Sequence, residues 1–326
     1  MQGKQRIGIF LSGRPGQREL GVRQGAAIAS ALSTLGHEGV QLFLDRDLDV
    51  LLRQSNISCA LLALQGRQGE DGCVQGFLEV MGVPYTGSGV VAAAVASHRI
   101  KTKEILRLHN LPTAPGYLFD AASGEAVADV HGQFGYPVTV RPVHERMQFV
   151  DSLAYDEMEL EAALEEALRL DQQALVERHL AGRTVEVGVL DGEPLGALEF
   201  LRDTGAAARA GGASVPCRLP AERLRSILRL ATAAYEAIGC EGAATVQIQV
   251  SDKGNEIVRD VDTMPVLTPL SAMPRLAKLA GIGFAELIGR LIRGAGLRGC
   301  SVDGRRPLQS ALLDAAPPRG QTFTAH

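Results

Sequence analysis

Asp260 and Asp262 stand two residues apart in the β-prone run from Glu256 to Asp262, so a strand there turns both carboxylates to one face. With a ligand's phosphates completing the oxygen set, such a pair can hold Mg2+; on a solvated strand it is ordinary surface. Thr184 and Glu186 share a strand face by the same spacing and offer a hydroxyl and a carboxylate, either to a ligand or to water. A further set is the loop QGRQGEDG, from Gln65 to Gly72, whose glycines Gly66, Gly69 and Gly72 open backbone conformations closed to other residues. His144, Glu145 and Arg146 follow one another and make either an anion clamp or a polar surface turn. No GxxxxGK[ST], HExxH or GxSxG pattern occurs, so nothing points to a P-loop nucleotidase, a zinc protease or an α/β-hydrolase.

Positioning these groups takes a particular order of elements. The apolar run from Ile57 to Leu64 predicts a buried strand feeding the glycine loop. Asp71 is placed to cap a helix in which Val74, Phe77, Leu78 and Met81 form one apolar stripe, ended by Gly82 and Pro84. Upstream, strands from Arg6 to Leu11 and from Val40 to Leu44 flank a helix from Val22 to Leu35, and a short helix runs from Val50 to Gln54. Strands alternating with helices imply a parallel sheet whose carboxyl-end loops, Gly13 to Glu19 and Gln65 to Gly72, lie side by side. A helical stretch from Val90 to Asn110 then leads past Pro112 and Pro115 into a second unit. That unit has strands from Pro137 to Arg141 and from Ala174 to Glu177, and an acidic helix from Asp156 to Asp171. In the third unit, strands run from Val185 to Leu190, Leu195 to Phe200, Ala244 to Val250 and Glu256 to Asp262, with a Gly- and Ala-rich segment from Asp203 to Ser214. Helices run from Ala221 to Ile238 and from Phe284 to Arg293, and the stretch from Arg298 onward reads as a mobile tail.

Composition narrows the function classes. A chain of 326 residues is long enough for two or three packed units. The net charge of −4, with basic residues scattered, gives no footprint for nucleic acid or an anionic membrane. Five cysteines, an odd number without CxxC spacing, argue against a zinc site or a disulfide framework and suit reduced thiols. No signal-peptide anatomy or membrane-length apolar run is present, and a cytoplasmic location is expected by elimination. Without tryptophan, and with few other aromatics, the core must be built from Leu, Ile, Val and Ala.

The run QGRQGEDGCVQGFLEVMGVPYTGSGV, with SGRPGQREL before it and SHRIKTK after it, resembles the D-alanine:D-alanine ligases. These are ATP-grasp enzymes that join two D-amino acids for the bacterial cell wall, and the resemblance extends from about Arg6 to about Leu297. It implies an α/β protein: an N-terminal parallel-sheet domain over residues 1–95, then an α+β ATP-grasp fold with a central lobe at 96–181 and a C-terminal lobe at 182–297, and a tail at 298–326. ATP and Mg2+ are the implied cofactors if nucleotide binding is retained, an amino acid or nucleotide the implied ligand, and a homodimer the implied assembly.

The implied site residues are mostly altered. Arg99 and Arg141 stand where the family has two phosphate-binding lysines, keeping charge but changing shape. VHERMQFVDS replaces a glycine- and serine-rich phosphate loop, Glu177 matches the adenine-holding hinge position, and Thr184 takes the place of the ribose-binding glutamate, with Glu186 two residues on. Gln247, Asp260 and Asp262 fall on the metal positions. Gln17 and Gln65 replace a substrate-orienting glutamate and a histidine, Thr245 replaces the oxyanion-stabilising arginine, and Val266 replaces a glycine whose amide assists it. The tyrosine-bearing loop is replaced by RDTGAAARAGGASV, while Ser271 matches a residue that holds the second substrate's carboxylate or, alternatively, caps a helix. Loss of one oxyanion donor typically costs on the order of a hundredfold in rate. The expectation is therefore a catalytically degenerate binding or regulatory protein, with a divergent active carboxylate–amine ligase as the alternative.

Overall fold

The computed structural model describes residues 3–144, 151–200 and 214–299. Glu145 and Arg146, most of the Gly- and Ala-rich segment and the tail beyond residue 299 lie outside the described residues.

Strands β1 (Arg6–Ser12), β2 (Glu38–Leu44) and β3 (Cys59–Ala63) form a parallel sheet in the order β2-β1-β3, with Ile9 opposite both Gln41 and Leu61. β1 and β3 are buried along nearly their whole length, which is why they read as unbroken apolar runs rather than alternating ones. One face packs Ile7, Ile9, Leu11 and Leu61 against Ile28 and Leu32 of helix α1 (Arg18–Thr34) and against Leu287 and Ile288 of the last helix described. The other face packs Phe10, Leu62 and Leu64 against Leu52 of α2 (Leu48–Ser55) and Val74 and Leu78 of α3 (Cys73–Met81). α1 begins four residues earlier than the sequence suggests because Leu20 and Gly21 extend its buried stripe. Gly21 is there for close approach, since a Cβ on it would meet the Ser12 carbonyl at 2.8 Å. Asp71 sits one residue before the cap position of α3, where its carboxylate accepts from the Cys73 N–H at 3.2 Å.

The expected single helix from Val90 is two, α4 (Val90–Ser97) and α5 (Arg99–Leu108), broken at an extended His98. The central lobe is an antiparallel sheet ordered β4-β7-β5-β6, from β4 (Gly116–Asp120), β5 (Val138–Pro142), β6 (Ser152–Ala154) and β7 (Gln173–Arg178). A short α6 (Val127–His131) and α7 (Glu157–Leu168) cover it; Asp156 caps α7 by accepting from the Glu159 N–H at 2.9 Å.

The C-terminal lobe holds a five-stranded sheet ordered β10-β9-β8-β11-β12. Its strands are β8 (Arg183–Leu190), β9 (Glu193–Phe200), β10 (Ser214–Pro216), β11 (Ala243–Val250) and β12 (Glu256–Asp262). Val185, Val187, Val246 and Ile248 pack on Ile227 and Ala231 of α8 (Ala221–Ile238). Strand alternation then sends Thr184, Glu186, Thr245, Gln247 and Gln249 to the opposite face, toward the central lobe. α9 (Ala272–Leu279) covers one end of that face, its Leu276 3.0 Å from where a Cβ on Gly188 would lie, and α10 (Phe284–Arg293) returns to the N-terminal sheet. Among the described residues no helix is long and apolar enough to cross a membrane. Cys59, Cys73, Cys217 and Cys240 are all unpaired thiols, and burial pushes Cys59 up to about 11 and Cys240 up to about 12.

Candidate functional site

Between the central and C-terminal lobes, the Arg141 guanidinium meets an acid on each of its three nitrogens. Nη1 lies 3.1 Å from Glu177 Oε1 on β7, Nη2 contacts Asp260 Oδ2 on β12, and Nε lies 3.1 Å from Asp151 Oδ1 just ahead of β6. Strand geometry explains the first contact, because Glu177 pairs with Thr139 and so sits diagonally across from Arg141. Burial alone would drive the proton off Arg141, but Asp260 and Glu177 outweigh it and hold the guanidinium above its ordinary value. Burial would likewise raise the Glu177 carboxyl, yet Lys103 and Arg141 hold it below the usual carboxylate range.

The chain of charges continues on either side. Lys103 Nζ lies 2.6 Å from Glu177 Oε2 and also donates to Thr113 Oγ1 at 2.9 Å. Arg99, first residue of α5, reaches Asp260 Oδ1 with its Nε at 3.5 Å and donates an Nη hydrogen to the Pro142 carbonyl. Arg259 contacts Asp151 Oδ2 across the cleft. Adjacent residues of a regular strand point to opposite faces, but the register shift where Gln247 and Ile248 oppose Asp260 and Val258 makes Arg259 the extra residue of a bulge. Both Arg259 and Asp260 therefore reach the central lobe. Burial, with Arg141 nearby, lowers the Arg259 guanidinium to about 9. Beside this chain lies a cavity of about 220 Å3, lined by Lys103, Thr139, Glu177, His179, Gln249 and Arg259.

A second set of contacts ties the N-terminal domain to the C-terminal lobe through side-chain amides. Gln24 Nε2 donates to Gln65 Oε1 at 2.7 Å, Gln65 Nε2 donates to the Met264 carbonyl at 3.0 Å, and Gln24 Oε1 accepts from the Leu267 N–H at 2.7 Å. The two loops predicted to lie side by side do so: Arg14 donates to Gln68 Oε1 at 2.6 Å, and Gln17 lies against Gly66, where a Cβ would come within 2.1 Å of its amide nitrogen.

Residues 116–293 match the family description "D-ala D-ala ligase C-terminus", and residues 45–88 match "D-ala D-ala ligase N-terminus". The "D-alanine--D-alanine ligase" of Geotalea uraniireducens is 38% identical over 301 residues, covering 90% of this chain and 96% of that protein. This chain belongs to the D-alanine:D-alanine ligase family. The protein of the same name from Geobacter sulfurreducens is 39% identical over 90% of this chain and 95% of its own length. Among solved structures, the D-alanine--D-alanine ligase from Bacillus anthracis complexed with ATP superposes with a TM-score of 0.80 at 28% identity, covering 89% of this chain and 97% of that one. The Coxiella burnetii ligase, at 21% identity and a TM-score of 0.78, agrees in fold. All of these relatives are named as ligases, which supports the active alternative raised from the sequence better than a degenerate one.

Set against a ligase of this family, the positions singled out from the sequence separate into two groups. Arg99, Arg141, Glu177 and Asp260 come together, but on one another. Asp262, half-buried, accepts from the Met264 N–H at 2.9 Å and so shapes a turn, while Gln247 sits between Glu186 and Asp260 in one row across the sheet. As arranged these residues do not fit Mg2+, because both Asp260 oxygens face guanidinium groups. Among the described residues no group of three or more His, Cys, Asp or Glu is placed to hold a metal. Thr184 is buried and donates to Gln249 Oε1 at 2.9 Å, Glu186 is buried on the same face, and Thr245 is buried between Gly188 and Asp262. Ser271 is the residue before α9, but its hydroxyl turns back to the Val266 carbonyl at 2.5 Å and the Thr268 carbonyl at 2.7 Å. His144 is tied to Asp171, 3.0 Å from Nδ1 to Oδ2.

Sequence reasoning misses Lys103, Gln24, Arg259 and Asp151. Lys103 carried a signal, since it follows Arg99 by one helical turn and must share its face. Arg259 carried a misleading one, because strict alternation sends it away from Asp260.

Proposed function

We propose that this member of the D-alanine:D-alanine ligase family is a non-catalytic binding or regulatory protein linked to cell-wall precursor metabolism. The observation that supports it is the Arg141 guanidinium, whose three nitrogens already face Asp151, Glu177 and Asp260. A cation that neutralises phosphate must be available to it, and here the protein's own acids compete at contact distance in a low-dielectric site. The amide clasp points the same way: Gln65 spends both ends of its side chain on holding two domains together. Pairing of two copies belongs to the same proposal and is checked by light scattering.

A specific observation favours a second reading, an active ATP-dependent ligase forming a dipeptide through an acyl-phosphate. Identity of 38–39% to proteins named D-alanine--D-alanine ligase covers nine-tenths of the chain, and a matched structure of that name holds ATP. On that reading Arg99, Arg141 and Glu177 would turn to the nucleotide. Purified protein incubated with ATP, Mg2+ and a panel of D-amino acids separates the two. The non-catalytic reading expects no phosphate release above background and no dipeptide; turnover on the order of 1 per second or faster, with dipeptide formed, selects the ligase.

A further inference from the structure

At the carboxyl ends of β1 and β2 a groove of about 860 Å3 opens between α2 and α3, and none of its lining residues belongs to the central or C-terminal lobe. Leu48 and Val74 form its buried floor, and Leu44 and Phe77 its half-buried walls. The apolar surface continues past the rim. Leu51 and Val80 stand three residues beyond Leu48 and Phe77 on their helices, so each neighbours a lining residue from outside. Among the described residues no large apolar side chain is more exposed than Val80, at 88%. The polar rim carries both signs, Arg14 and Arg46 alongside Asp45 and Asp49. A volume of this order takes a ligand far larger than a single amino acid.

The chain itself supplies such a segment close by. After α10 the backbone of Gly296 exchanges two hydrogen bonds with Tyr85, Arg298 Nη1 lies 2.6 Å from Glu241 Oε2, and the Arg298 N–H donates to Glu79 Oε1 at 2.6 Å. Glu79 immediately precedes Val80 on α3, and a Cβ on Gly299 would lie 2.9 Å from its Oε2. The polypeptide is therefore pinned, as far as Gly299, to the helix that walls the groove. Residues 300–326 follow, past residue 293 where the family match ends. In their sequence Leu308, Leu312 and Leu313 fall between Pro307 and Pro317, with Arg305 and Arg306 ahead of them and Asp314 after. Eight extended residues, 300–307, span up to about 28 Å, more than twice the roughly 10–12 Å width of a helix with its side chains, so Leu308 can reach across α3.

We propose that the groove between α2 and α3 is a docking site for this chain's own C-terminal tail, which lays the apolar run at residues 308–313 over Leu44, Leu48 and Phe77. The charges match this direction, with acids on the rim for Arg305 and Arg306 and arginines for Asp314. Arg14 on the rim donates to Gln68, so the occupant touches the two loops that carry Gln17 and Gln65 and stiffens them from outside the cleft. The inference holds whether or not the lobes turn over nucleotide.

The test uses the full chain and a brief hydroxyl-radical pulse, with oxidation of each residue read by mass spectrometry. In wild type, Phe77 should be oxidised roughly threefold or more slowly than in Leu312→Asp/Leu313→Asp, because a tethered segment acts at an effective concentration on the order of millimolar. His98, in the separate cavity lined by Ala94 and Ser97, should be oxidised equally in both proteins. Neither Leu312 nor Leu313 takes part in any core contact described above. Protection of Phe77 should also stay constant across about a fiftyfold range of protein concentration, as an intramolecular contact requires. Equal oxidation of Phe77 in the two proteins overturns the proposal. Protection that rises with concentration assigns the groove to a second copy and overturns it too, and a change at His98 as large as that at Phe77 removes the groove as the docking site.

Discussion

Replacing Arg141 with methionine tests the charge chain where it is most connected. The side chain touches Asp151, Glu177 and Asp260, so its loss strips one partner from three acids at once. Removing one member of a buried ion pair commonly costs about 3–5 kcal/mol, because a charge is left without compensation. Here no acid is left alone: Glu177 keeps Lys103 at 2.6 Å, Asp260 keeps Arg99 at 3.5 Å, and Asp151 keeps Arg259. Methionine also fills much of the vacated volume, so the low end applies, about 3 kcal/mol. For a chain of 326 residues that corresponds to a fall in melting temperature of about 4 °C. Without tryptophan the assay is far-UV circular dichroism during urea and heat unfolding. Arg141→Lys should fall between wild type and Arg141→Met, since an ammonium keeps the charge but cannot reproduce the two Nη donors that reach Glu177 and Asp260 from one planar group. A loss under about 1 kcal/mol for Arg141→Met, or a lysine variant as stable as wild type, would refute the view that this guanidinium organises the cleft.

Other expectations follow from the same contacts. Gln24→Ala leaves the Leu267 N–H and the Gln65 side-chain Oε1 buried without their partner, a loss of about 2–4 kcal/mol in urea unfolding; an unchanged midpoint would show that the amide clasp is ornamental. Glu177, held below the ordinary carboxylate range, contributes stability above its unfolded pKa near 4.3 and loses it as pH falls through the lower folded value. Stability should thus be flat from about pH 7 to 5 and fall below about pH 4, with a shallower acid limb in Glu177→Gln, as urea midpoints across that range would show. Gly182→Ala should destabilise by more than about 1 kcal/mol, because its φ of 150° and a Cβ 2.2 Å from the Val250 carbonyl leave no room for a side chain; a thermal scan settles it.

Helices from Ala221 to Ile238 and from Phe284 to Arg293, and the strand from Glu256 to Asp262, were legible to the residue because their apolar stripes begin and end sharply at Pro220, Gly239, Gly283 and Gly294. The short strands β4, β6 and β10 were not, since strands of three to five residues carry too little alternation to register. The break at His98 was hidden in a continuous helix-prone run; there His98 is extended and caps α5, its Nδ1 accepting from the Lys101 N–H at 3.5 Å. For the site, the altered residue types were plain, but their fate was not. Arg141 and Glu177 are 36 positions apart and Arg141 and Asp260 are 119 apart, so no local pattern records that they neutralise one another. The bulge at Arg259 defeats alternation outright.

The placement of α10 has a consequence for biosynthesis. Leu287, Ile288, Leu291 and Ile292 supply part of the core on which Ile7, Ile9 and Ile28 rest. The opening sheet leaves the ribosome with an unfinished apolar side that stays uncovered until Phe284–Arg293 has been made. A nascent chain halted before residue 284 therefore presents a sticky surface to chaperones, and the N-terminal domain is a poor choice for isolated expression even though its strands and helices are contiguous in sequence.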